Sequence, residues 1–130
     1  MTIDLWMLVA STVLCLLIPF VSLTGLTMTP GGMVWGFGNR DTPLEVALWV
    51  TRARRAHANM VENLAPFAVL VLVAHVAGKA NATTALGAEL FLIARIAHLI
   101  VYTVGIPVLR TIVFSVGTLG EVMILLQLFR

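Results

Sequence analysis

The chain has 130 residues, of which 60% are hydrophobic and only 11% charged, and its net charge is +2. Its mean hydropathy of +1.04 excludes an ordinary water-soluble domain of this size and points to a bilayer. The small positive charge reads as a topology signal and gives no reason to expect nucleic acid.

Four apolar stretches follow in chain order: Leu5 to Leu26, Leu64 to Ala77, Ala82 to Tyr102 and Ile106 to Phe129. Three reach the ~20 residues a helix needs to cross alone, and the second continues a helical pattern begun upstream. No internal repeat or low-complexity linker divides the chain, so residues 1–130 are expected to form one domain. The first stretch lacks a basic leader and a small-residue cleavage pattern, and it is expected to remain as a mature helix. Cys15 is the only cysteine, which excludes an internal disulfide, and among leucines it reads as packing material. The glycine-rich loop from Thr27 to Pro43 matches no phosphate-binding spacing and reads as an interfacial loop anchored by Trp35 and Phe37.

Thr42, Pro43 and Glu45 have the form of a capping box with proline at the first helical position, so the second helix is expected to start there. Gly78 suits its C-terminal stop. A helix of roughly 34 residues would be about 50 Å long, well beyond a ~30 Å hydrocarbon core, and its first turns would project from the membrane. The third helix is expected to begin at an Asn81 to Thr84 cap and to end at Gly105; the fourth starts almost at once, with Pro107 in its first turn. The expected fold class is therefore all-α, an integral-membrane four-helix bundle of up-down topology with an extended second helix. Arg40, Arg52, Arg54, Arg55 and Arg110 cluster at one end, which the positive-inside rule places in the cytoplasm, with both termini outside.

Within the second helix, and relative to Arg52, Arg55 falls at ~300°, Asn59 at ~340° and Glu62 at ~280°, one polar stripe. Arg54 and His57, at about 200° and 140°, point elsewhere, toward solvent or headgroups. For Arg40 and Arg54 the ordinary reading is snorkelling to the membrane surface. The third helix carries a second stripe, with His98 at ~300° and Tyr102 at ~340° relative to Arg95. Arg95 lies ~14 Å from the nearer helix end, where an unpaired charge costs at least ~2.5 kcal/mol. It needs a partner; Glu62 is preferred, with Glu121 the other candidate. His98 reads as a hydrogen-bonding strut.

The run Arg55, Ala56, His57, Asn59, Glu62, Pro66, Phe67 resembles the signature of the MAPEG family, membrane-associated proteins in eicosanoid and glutathione metabolism. The segment Ala94 to Tyr102 is similar to the family's third helix, and Arg110 stands where the family places an arginine at the start of the fourth. The resemblance spans the chain. It implies a homotrimer binding glutathione as co-substrate between subunits on the cytoplasmic side, with no metal, most simply in a bacterial inner membrane. Arg55, Asn59 and Glu62 would hold the peptide, with Arg52, Arg95 and His98 on the same stripes, while Tyr102 would pack on it and Arg110 would face the thiol. The implied reaction is glutathione transfer to a hydrophobic electrophile dissolved among the membrane lipids, with peroxidase activity as an addition. The first helix lacks the arginine that several family enzymes carry near its end, for which Arg40 is the candidate substitute, and Ala58 replaces a basic residue of some members. The alternatives are a small four-helix multidrug exporter, against which the absence of a carboxylate midway along the first helix argues, and a family member that binds lipid without catalysis.

Overall fold

The computed structural model describes all residues from Met1 to Arg130 and contains five helices: α1 (Ile3–Thr27), α2 (Gly32–Phe37), α3 (Leu48–Val76), α4 (Ala82–Val104) and α5 (Pro107–Leu128). All but α2 are long and apolar enough to cross a membrane, which makes this a multi-pass integral membrane protein. Local chemistry explains most boundaries. Asn81 caps α4 by accepting from the backbone of Thr83 and Thr84, while the Thr84 hydroxyl accepts from the Asn81 N–H, a reciprocal capping box. Gly105 ends α4 in the left-handed region, and Pro107 opens α5 two residues later, which forces the pair into a tight antiparallel hairpin.

The two ends of the bundle are tied by hydrogen bonds between elements distant in sequence. At one end Arg52 Nη1, near the start of α3, donates to Val104 O at 3.1 Å. At the other, Thr84 donates to Asp4 at 2.7 Å and the Asn81 amide donates to Gln127 at 3.1 Å. Both termini therefore lie at the end opposite α2, the up-down order the hydropathy predicts. Between the ends, α4 and α5 pack most closely because Gly87 and Gly120 face each other. A methyl group on Gly87 would fall 2.6 Å from the Gly120 carbonyl oxygen, so only glycine lets these backbones approach this far. The core joins α1, α3, α4 and α5 through Ile18, Phe67, Phe91 and Ile124, with the two phenyl rings stacked at 3.8 Å.

Only 23 of 130 residues are buried, and large apolar side chains such as Leu16 and Ile93 stand on the outer faces. A water-soluble chain cannot expose so much apolar surface; lipid tails or other subunits can cover it.

The second membrane helix begins later than its capping box predicts. α3 starts at Leu48 with Ala47 as its N-cap and no side-chain cap, and has 29 residues, about 43 Å. The Thr42 carbonyl is instead taken by the indole N–H of Trp35 at 2.5 Å, so that segment folds back on the loop before it. Residues Gly32–Phe37 form the short α2 within what sequence reads as plain loop; glycines at 32 and 36 hide its helical tendency. The helix remains longer than a hydrocarbon core, so its arginine-bearing turns project beyond the apolar region.

Candidate functional site

The bonds that close the α2 end of the bundle also build a hollow. Gly105, at φ +94, presents no side chain, and the Arg52 guanidinium lies against its backbone while capping the Val104 carbonyl at the end of α4. One turn into α5, Arg110 turns back over α4 and its guanidinium sits 4.9 Å above the Tyr102 ring. Arg52, Arg55, Tyr102 and Arg110 thus share one hollow of about 230 Å³, whose floor is the α4–α5 turn from Gly105 to Pro107. Three guanidiniums line it and no carboxylate does.

An adjoining hollow of about 320 Å³ lies deeper along the same groove and is lined by Asn59, His98, Tyr102, Arg110, Thr111 and Phe114. Tyr102 and Arg110 belong to both, so the two hollows adjoin across these side chains. His98 is buried and meets Tyr102 edge-on, with ring centroids 5.4 Å apart, and lies 6.3 Å from Phe114. Its contacts are aromatic packing, where sequence suggests a hydrogen-bonding strut.

Arg95 does not reach either hollow. It is 2% exposed, and its Nη1 and Nη2 donate to Asn59 Oδ1 at 3.0 Å and Asn63 Oδ1 at 3.1 Å. The phenyl rings of Phe91 and Phe114 lie 4.8 and 5.3 Å from its guanidinium carbon. The expectation that Glu62 pairs with Arg95 is therefore incorrect. Helical geometry gives the reason: relative to Arg52, Asn63 falls at ~20° and Asn59 at ~340°, both toward α4, while Glu62 at ~280° is turned away. Glu62 is exposed on α3. Glu121, the other candidate, keeps Oε1 buried without a hydrogen-bond partner.

Asn63 is the residue that sequence reading overlooks. Its signal is the spacing of four from Asn59, and its amide N–H donates to the Asn59 carbonyl at 2.7 Å, which turns Oδ1 toward Arg95. Through Asn59, the buried arginine holds one wall of the deeper hollow in place.

The remaining arginines lie apart from this groove. Arg40 and Arg54 both approach Trp35, at 5.5 and 5.4 Å from its ring centroid, and line a separate hollow against α1. Within one chain Arg40 therefore stands away from Tyr102 and Arg110. His57 is half-buried rather than solvated, its Nε2 4.0 Å from the Cys15 sulfur.

No curated protein and no solved structure matches the chain. A family model does: residues 5–130 match that of the MAPEG family, nearly the whole length. The chain belongs to the MAPEG family.

Proposed function

We propose that the protein is a membrane-bound glutathione transferase that keeps the glutathione thiol ionised for attack on hydrophobic electrophiles arriving from the bilayer. The observation that carries this reading is the hollow lined by Arg52, Arg55 and Arg110 with Tyr102 and no carboxylate. Glutathione carries two carboxylates and one ammonium, and gains a further negative charge on ionisation, so an all-cationic lining complements it.

Arg55 and Arg52 at the mouth would hold carboxylates, Asn59 would hydrogen-bond the peptide backbone, and Tyr102 would pack on it. Glu62, on the outward face of α3, would meet the ligand's ammonium where a second copy of the chain closes the groove. The apolar outer faces of the helices favour such an assembly, and a homotrimer is the form the family resemblance implies.

Arg110 would face the sulfur. A thiol with pKa about 8.5 is only about 7% ionised at pH 7.4. At ~4 Å and an effective dielectric of ~20, one fixed positive charge stabilises the thiolate by about 4 kcal/mol before desolvation opposes it. A net shift of two pKa units needs about 2.7 kcal/mol, within that range. The thiolate's electron pair then forms a carbon–sulfur bond with the electrophile, and the leaving group departs with its own pair. With a lipid hydroperoxide the thiolate would instead attack the outer oxygen, breaking the O–O bond to release the lipid alcohol, and a second glutathione would convert the resulting sulfenic acid to the disulfide and water.

Equilibrium dialysis of the purified protein against radiolabelled glutathione tests the assignment. Saturable retention at millimolar glutathione or below, reduced at least tenfold in Arg55→Ala, is the expected result. Absence of retention by the wild type would leave the groove without its proposed ligand and the enzymatic reading without support.

A further inference from the structure

A third hollow lies on another side of α3 from the basic groove, against α1. It encloses about 410 Å³ between the C-terminal half of α1 and the short helix α2. One wall is apolar, formed by Phe20, Leu23 and Leu26; the other is formed by Trp35, Arg40 and Arg54. No carboxylate lines it.

Two guanidiniums against one indole are an unusual expense of like charge. Arg40 is fixed there: its backbone takes φ +61, a left-handed conformation costly for any residue but glycine, and its Nε and Nη2 both donate to Gly36 O, at 3.2 and 2.9 Å. The Trp35 ring that both cations approach is itself pinned by its hydrogen bond to the Thr42 carbonyl. A side chain that merely snorkels into headgroups has no need of such preorganisation.

The apolar wall is uncovered in the single chain, with Phe20 60% and Leu23 44% exposed. Tryptophan and arginine at this end of the helices mark the depth of the headgroups, and the wall below them runs into hydrocarbon. The site thus offers an anion seat and a tail groove in continuous order. A soluble anion would leave the apolar wall uncovered, and a zwitterionic lipid would bring its ammonium toward two arginines.

We infer that this hollow binds one anionic glycerophospholipid, its phosphate held by Arg40 and Arg54 beside Trp35 and its acyl chain lying along Phe20, Leu23 and Leu26. Within one chain this hollow shares no lining residue with the basic groove, and the inference does not depend on the transferase reading. Its occupancy would fasten α2 to α1, ordering the loop that leads into α3.

Native mass spectrometry of the full-length protein, loaded with dioleoyl phosphatidylglycerol or dioleoyl phosphatidylcholine, tests it. One phosphatidylglycerol retained per chain in preference to phosphatidylcholine is expected, with the preference falling on the order of 30-fold in the Arg40→Gln/Arg54→Gln variant. The Arg40→Lys/Arg54→Lys variant should keep most of it. A second measurement needs only one neutral change: phosphatidylglycerol with brominated acyl chains should quench tryptophan fluorescence in the wild type more than brominated phosphatidylcholine, and this excess should vanish in Trp35→Phe. Equal retention or equal quenching by the two lipids would overturn the proposal. Displacement of phosphatidylglycerol by inorganic phosphate would also overturn it, since the seat would then be a plain anion site.

Discussion

The buried arginine offers the sharpest test of how the interior is held together. Asn59→Ala with Asn63→Ala removes both acceptors from Arg95, a residue 2% exposed and about 14 Å from the end of α4. Interhelical hydrogen bonds in membranes contribute about 0.6 to 1.7 kcal/mol each, so two lost bonds account for roughly 1–3 kcal/mol. The guanidinium left without acceptors adds a burial cost of at least ~2.5 kcal/mol, reduced by whatever repacking brings Glu121 closer. The double variant should therefore lose about 3.5–5.5 kcal/mol, less whatever that repacking recovers. Adding Arg95→Met to it removes the stranded charge and should restore about 2 kcal/mol, the reverse of what another truncation normally does. Glu62→Gln, on the exposed face of α3, should stay within about 0.5 kcal/mol of the wild type. Reversible unfolding by sodium dodecyl sulfate in mixed micelles, followed by helical circular dichroism, measures all three. A destabilisation by Glu62→Gln equal to that of the double alanine variant, or no recovery on adding Arg95→Met, would refute the assignment of the asparagines as the charge's partners.

Three further outcomes follow from the packing. Gly120→Leu places a side chain on the Gly87 carbonyl and should separate α4 from α5 at a cost of about 3 kcal/mol or more, seen as a lowered unfolding midpoint in the same micelle titration. Gly105→Ala meets both a left-handed backbone and the Arg52 guanidinium; a loss of about 1–3 kcal/mol is expected, together with weaker glutathione retention, because Arg52 must leave the groove. Cys15, half-buried on α1 within the membrane span, should react with a lipid-permeant maleimide and far more slowly with a charged one, as mass spectrometry of the intact chain would show.

Local signals made much of this fold readable. The Asn81 cap, the Gly105 stop and the Pro107 start act within one turn of chain, and each stands where its chemistry requires. The Thr42 cap failed because a tertiary contact outbid it: the Trp35 indole took the carbonyl that the first turn needed. The polar stripes were legible as angles, and Arg52, Arg55 and Tyr102 of those stripes line one hollow; Arg110 joins them from α5 across the Gly105–Pro107 turn, while Glu62 and Arg95 do not line it. Angles alone could not name the partner of Arg95, since choosing among Asn59, Asn63 and Glu62 depends on where α4 lies against α3. The lipid-facing hollow was least legible, because Arg40 and Arg54 meet only through the fold of α2 and its tryptophan.

The central claim is that Arg110, stacked over Tyr102, ionises the thiol of a glutathione held in the basic groove. Ultraviolet difference absorbance of the protein titrated with glutathione near neutral pH reads the thiolate directly. The wild type should develop the thiolate band, and Arg110→Ala, with helicity and assembly unchanged, should not. A band of equal size in both proteins, or none in the wild type at saturating glutathione, would contradict the account.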